Sequence, residues 1–224
     1  MYPHAKDALR NGIEYIYGSG VHGDVAEFGT YQGRTAAVLA EAMIDCDHQY
    51  GSSDKLHGIS QRKLWLFDSF KGLPAVTHPA DAASPHLTSG VWREGAISDT
   101  SPSRVQGFVE QFIPKNRINV IPGFFKESLE QLPTTTRFAF VHLDCDYYES
   151  TLQVLTFLKN FGMFSDGCAL YFDDWYCNRG SPRYGQQAAW RNFCSSCGFS
   201  TYTDWGAYGI VGRRFIVHNP GVEP

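Results

Sequence analysis

The sequence predicts an α/β fold: a mostly parallel sheet covered by helices on both faces and finished by an antiparallel hairpin, all in one domain. Three observations predict it. Short apolar runs that read as buried strands alternate with segments of helical spacing along the whole chain. No repeat or linker of shifted composition divides the 224 residues, a length that suits one sizeable core. Acidic residues end several of the apolar runs, so in a parallel sheet they would project from one edge.

Each element has its own justification. Residues 5–17 set Ala5, Leu9, Ile13 and Ile16 at helical spacing. "GDVAEFG" (23–29) reads as a short buried strand stopped by Gly29, and "GRTAAVLAEAMI" (33–44) as an Ala-rich helix. After a polar loop, "KLWLFDSF" (63–70) is the second strand. Residues 71–103 carry Pro and His among Gly, Ser, Ala and Thr with little period; so long a stretch is expected to be functional, here as a lid with Trp92 as its aromatic anchor. "SPSRVQGFVEQF" (101–112) opens a helix at Ser101 or Ser103, with Val105, Phe108, Val109 and Phe112 on one face. Strands follow at 118–123, 138–144 and 167–174, with helices at 150–161 and at 185–198, the latter ended by Gly198. "FSTYTDW" and "YGIVGRRFIVH" form the closing hairpin.

Bulk properties exclude several classes. A net charge of −4 with no basic cluster argues against a nucleic-acid footprint or a membrane-surface role. No apolar run approaches the ~20 residues of a spanning helix, and the start "MYPHAKDALRNG" lacks a signal-peptide segment, so a cytoplasmic protein is expected. Of the six cysteines only Cys194 and Cys197 have ligand spacing, and no second pair partners them, so ordinary thiols are expected.

Two groups of residues carry chemistry. The first is "EFGTYQG", an acid followed by spaced glycines between strand and helix, where backbone can pass close to a ligand and the helix start offers free N–H groups. Asp68 at the end of the second strand can accept both hydroxyls of a ribose. Together they suggest an adenosine-type ligand without a pyrophosphate. The second group is Asp144 and Asp146 in "HLDCDYYES" with Asp173 and Asp174 in "FDDW". Hard carboxylates with no His or Cys at ligand spacing suit Mg²⁺ or Ca²⁺ rather than zinc.

The strings "FDSFKGLP" (67–74), "HLDCDYYEST" (142–151) and "FDDW" (172–175) resemble the macrocin O-methyltransferase family, within the class I S-adenosylmethionine-dependent methyltransferases. The resemblance spans roughly residues 23–190. It implies a Rossmann-like, doubly wound sheet of seven strands, and methylation of a hydroxyl on a sugar or glycosylated natural product. It also implies the cofactor S-adenosyl-L-methionine, with Glu27, Gly29, Thr30 and Gly33 bordering its methionine part. Asp68 would hold the ribose, with Ser69 and Phe70 beside the adenosine. By similarity to metal-dependent catechol-type enzymes, Asp144, Asp173 and Asp174 would hold Mg²⁺, with Asp146 as a supporting group or turn residue. Those enzymes carry a lysine base three positions after the first aspartate, where this chain has Tyr147. The base is therefore sought in Asp144, or in a loop histidine, His78 or His86, while His142 reads as a packed core histidine. Glu149 is expected to cap the helix that follows it. Residues 174–185, with Arg179 and Arg183, are expected to line the pocket of a small-molecule acceptor; a homo-oligomer is one open outcome. Two rival readings remain: haloacid-dehalogenase-like phosphoryl transfer through the DxD at 144–146, and a catalytically silent methyltransferase-like binding module.

Overall fold

The computed structural model describes residues 3–56, 58–59, 61–197 and 201–218. Its strands are β1 (Asp24–Phe28), β2 (Leu64–Asp68), β3 (Ile118–Pro122), β4 (Phe138–Leu143), β5 (Phe164–Phe172), β6 (Tyr202–Tyr208) and β7 (Gly212–Val217). They form one seven-stranded sheet in the order β3-β2-β1-β4-β5-β7-β6. All neighbours from β3 to β5 are parallel, and β7 then pairs antiparallel with both β5 and β6. The fold class read from the sequence is thus the observed one, strand for strand. Among the described residues no helix is long and apolar enough to cross a membrane.

The longer helices are α1 (Pro3–Gly18), α2 (Arg34–Leu56), α5 (Pro102–Val109), α7 (Tyr148–Asn160) and α8 (Gly185–Cys197). Three short ones, α3 (Pro79–Ala82), α4 (Pro85–Thr88) and α6 (Phe125–Ser128), complete the set. Alternation along the strands divides the core into two layers. Val25 and Tyr171 pack with Leu9, Ile13, Leu39 and Val105 on the side of α1, α2 and α5. Ala26, Phe28, Val141 and Phe172 pack with Val154, Leu158, Trp190 and Phe193 on the side of α7 and α8. Continuous burial of every residue of β4 matches a strand covered on both faces.

Two of these expectations need correction. The helix expected over 33–44 runs on to Leu56, because its apolar stripe continues through buried Met43 and Cys46 to Tyr50, which packs on the core. The segment 71–103 is not without structure: α3 and α4 lie inside it, each with Pro at its first turn and each docked onto distant residues. The short α6 was not foreseen. Gly198, expected to end α8, and Phe199 and Ser200, expected to open the hairpin, lie outside the described residues, as does the side chain of Cys197.

The docking of 71–103 is specific. α7 begins after Tyr147, which offers no side-chain cap, and the missing acceptor comes from Asp81: the N–H of Tyr148 donates to its Oδ1 at 2.7 Å and that of Glu149 to its Oδ2 at 3.0 Å. Glu149, expected to cap α7, instead accepts from the hydroxyl of Thr77. Trp92 is buried, with its ring 4.7 Å from that of His86 and 5.9 Å from that of Tyr147.

Candidate active site

The order of the sheet reverses between β1 and β4, and ligands in such sheets bind beyond the carboxyl ends of strands at this point. The two strand ends are stitched together. The N–H of Gly29 donates to the carbonyl of Phe67 at 2.8 Å, and that of Asp144 to the carbonyl of Phe28 at 2.9 Å. Gly29 has φ of +94°, and a Cβ there would stand 1.7 Å from the carbonyl oxygen of Asp144. The chain then turns so that the N–H of Tyr31 donates to Asp68 Oδ2 and that of Phe70 to Asp68 Oδ1, each at 2.7 Å. Tyr31 and Phe70 both carry positive φ, 48° and 53°, the kind of local strain found at ligand sites. Burial pushes the Asp68 carboxyl up, and the backbone donors offset only part of that.

Asp144 leaves β4 beside Asp173 and Asp174, which leave β5. One carboxylate oxygen from each lies within 4.8 Å of the others. Their backbone is fixed by Gln186, almost fully buried on α8, which accepts from the N–H of Asp174 and donates to the carbonyl of Leu143, both at 2.9 Å. Burial, then the charges of Asp173 and Asp174, push Asp144 well above the carboxylate range. Burial and the charge of Asp173 push Asp174 up to about 7. For Asp173 burial acts upward, but the hydrogen bond and charge of His142 and the bond from Tyr208 outweigh it and hold the group low. Three hard oxygen donors that repel one another fit a divalent cation of the Mg²⁺ or Ca²⁺ type, and no His or Cys joins the set. Asp146, at φ 56°, donates its N–H to Asp174 Oδ2 at 3.2 Å.

Behind this cluster lies a chain of buried polar groups. Glu27 and His142 face each other across β1 and β4, with His142 Nδ1 3.0 Å from Glu27 Oε1. His142 Nε2 is 3.3 Å from the hydroxyl of Tyr208, which donates to Asp173 Oδ1 at 3.1 Å. His142 is buried as expected, but both ring nitrogens are engaged.

Two cavities meet at Asp144. The larger, about 690 Å³, is bordered by Gly29, Asp68, Ser69, Asp144 and Asp146, with Phe124 and Phe125 beyond β3. The smaller, about 300 Å³, is bordered by Thr30, Tyr31, Arg34 and Thr35 at the start of α2, and by Asp144, Asp173 and Tyr208. Glu27, Gly33 and Phe70 border neither: Glu27 is fully buried, Gly33 has Val105 and Val109 over its Cα, and Phe70 packs on the core. His78 and His86 border neither. His78 Nδ1 accepts from the N–H of Ala80 at 3.1 Å, and His86 Nδ1 accepts from the N–H of Asn178 at 2.9 Å. Arg179 and Arg183 also stay outside both cavities; the Arg183 guanidinium lies 5.6 Å from the ring of Tyr184.

Sequence reading missed Phe124, Phe125, Arg34 and Tyr208. The pair "FF" directly after the third strand was a usable signal for a stacking platform. Tyr208 carried none, since its place depends on hairpin register.

Sheet order, strand-end acids and the loop at 29–33 define a Rossmann-like domain of the methyltransferase type. The macrocin O-methyltransferase (TylF) family model matches residues 4–195, and the chain belongs to that family. Among curated relatives, mycinamicin III 3''-O-methyltransferase of Micromonospora griseorubida is 30% identical over 173 residues, 75% of this chain and 61% of its own length. The 8-demethyl-8-(2,3-dimethoxy-alpha-L-rhamnosyl)-tetracenomycin-C 4'-O-methyltransferase of Streptomyces olivaceus is 27% identical over 150 residues, 66% of this chain and 52% of its own. The chain therefore spans only about half to three fifths of the curated relatives it matches. Of solved structures, the O-methyltransferase NovP superposes with a TM-score of 0.73 at 21% identity, over 96% of this chain and 79% of its own. The calicheamicin methyltransferase CalS11 gives 0.67 at 20%, over 97% and 77%. These two likenesses show the shared fold.

Proposed function

We propose that this chain is an S-adenosylmethionine- and Mg²⁺-dependent O-methyltransferase acting on a hydroxyl of a sugar or glycosylated natural product. The observation that carries the reading is Asp144, which borders both cavities and groups with Asp173 and Asp174 while Asp68 stands in the larger cavity. The curated relatives support the acceptor class: one is a mycinamicin III 3''-O-methyltransferase and another a 4'-O-methyltransferase of a rhamnosyl tetracenomycin.

When bound, S-adenosylmethionine supplies an electrophilic methyl group and Mg²⁺ supplies the charge that lowers a hydroxyl's pKa. The chain's residues do the rest. Asp68 keeps lone pairs for a ribose, because its two oxygens offer about four acceptor sites and the backbone N–H groups around it fill only part of them. Phe124 and Phe125 offer aromatic surface to a purine, and Arg34 at the start of α2 faces an anionic methionine end. A carboxylate oxygen of Asp144, which stands where the two cavities meet, takes up the acceptor's proton. The segment 71–103, docked through Asp81 and Trp92, excludes water as a lid over the one catalytic domain.

Nothing in the fold or among the relatives favours phosphoryl transfer or a silent module. Calorimetry with S-adenosylhomocysteine should show binding that Asp68→Ala weakens at least about tenfold, the order of one lost charge-assisted hydrogen-bond pair. Methyl incorporation into a glycosylated acceptor should stop on chelation and return with Mg²⁺. Absence of S-adenosylhomocysteine binding by the wild-type chain would overturn the proposal.

A further inference from the structure

Burying a carboxyl and an imidazole is costly unless they are paired, and Glu27 and His142 are buried side by side. Glu27 has no exposed surface, and while its Oε1 meets His142, its Oε2 has no partner among the described residues. The chain of contacts runs one way, from Glu27 through His142 to Tyr208, and ends on a single acceptor, Asp173 Oδ1. His142 Nε2 converges on the same oxygen at 3.8 Å.

Tyr208 reaches that oxygen by a route the backbone has prepared. It is the last residue of β6 and pairs with Gly212, the first of β7. Gly212 precedes Arg213, which pairs with Phe172 at the end of the β5–β7 ladder, so Asp173 lies one step past that same end, level with Gly212. The phenol must cross over position 212 to arrive there. A Cβ at 212 would stand 2.5 Å from the Tyr208 ring, and only glycine leaves the path open. The ring is buried, 5.1 Å from that of Tyr171.

From this geometry we infer that Tyr208 is a positioning residue for the acidic cluster: held by the Glu27–His142 pair, its hydroxyl fixes the plane in which Asp173 presents its carboxylate beside Asp144 and Asp174. The inference rests on the reading of the cluster as a cation site. Partners that orient a metal-binding carboxylate typically change metal affinity 10–100-fold when removed. Packing alone needs the ring of Tyr208, not its hydroxyl, so removing one oxygen separates the two roles.

The test titrates Mn²⁺, alone and then in competition with Mg²⁺, into wild type and Tyr208→Phe, following Mn²⁺ by paramagnetic relaxation. Asp173→Asn serves as the reference for a lost ligand. Tyr171→Phe serves as the packing control, since its hydroxyl points away to the carbonyl of Ala8 at 3.2 Å. Tyr208→Phe should bind Mn²⁺ about 10–100-fold more weakly, while Tyr171→Phe binds it within about twofold of wild type. In turnover, its Mg²⁺ activation midpoint should rise by the same factor and excess Mg²⁺ should restore the rate. Unchanged Mn²⁺ affinity in Tyr208→Phe, or an equal loss in Tyr171→Phe, overturns the inference and leaves the cation site standing. Wild type that binds Mn²⁺ no better than Asp173→Asn overturns the cation site and the inference together.

Discussion

Asp174 shows how a single residue can report on the state of the site. Its carboxyl is pushed up to about 7 by burial and by Asp173, against about 4 for an exposed aspartate. A group with a higher pKa in the folded state binds more protons there, so its contribution favours folding at low pH and is lost as pH rises from about 4 to about 7. Asp144 and Asp146 act in the same direction, both raised by burial and acidic neighbours. The chelated protein should therefore lose thermal stability between pH 5 and pH 8. Millimolar Mg²⁺ should flatten that slope, and Asp174→Asn should flatten it without Mg²⁺. Thermal melts with and without chelator check this, and a chelated wild type equally stable at both pH values would contradict it. At this scale the acids were legible, because each ends an apolar run and strand ends share one edge of a parallel sheet. Tyr208 was not, because a residue that reaches Asp173 across 35 positions does so by hairpin register, which local pattern does not encode.

Between elements, the dependence of α7 on Asp81 is the clearest coupling. Two N–H groups at the helix start are satisfied by a carboxylate 67 and 68 residues earlier in the chain. Asp81→Ala should cost about 1–2 kcal/mol, the range for a lost cap that leaves partly buried donors behind. Urea unfolding measures the loss, and hydrogen exchange should quicken first at the amides of Tyr148 and Glu149. A change in stability without local exchange would show that Asp81 acts elsewhere. The segment 71–103 looked structureless in sequence for the same reason. Partners of its hydrogen bonds, among them Tyr148, Glu149 and Asn178, lie far along the chain. One-turn helices leave no periodic trace, whether capped from within as α3 is by His78 or from a distance as α4 is by Asn178. The tail of α2 was missed for a different reason: Cys46 and Tyr50 continue the stripe of Leu39 and Met43, but the polar residues between them obscured it.

For the whole molecule, strand and helix alternation sufficed to give sheet, layers and closing hairpin, since each follows from what a two-sided apolar strand must bury. The place where the halves of the sheet diverge adds something else. The carbonyl oxygen of Asp144 occupies the space where any other residue at 29 would put its Cβ. The glycine that follows β1 is thus required by the frame, independently of any ligand. A library of substitutions selected only for folded abundance, with no demand for activity, should be emptied at position 29, starting with Gly29→Ala. Neither Mg²⁺ nor S-adenosylhomocysteine should rescue that variant, since the added Cβ collides with a backbone carbonyl that cannot swing aside. Asp68, whose side chain accepts hydrogen bonds from backbone N–H groups, should tolerate other acceptor side chains in the same selection. Abundance and activity landscapes would then part at 68 and coincide at 29, separating the residues this chain keeps for chemistry from those it keeps for its own construction.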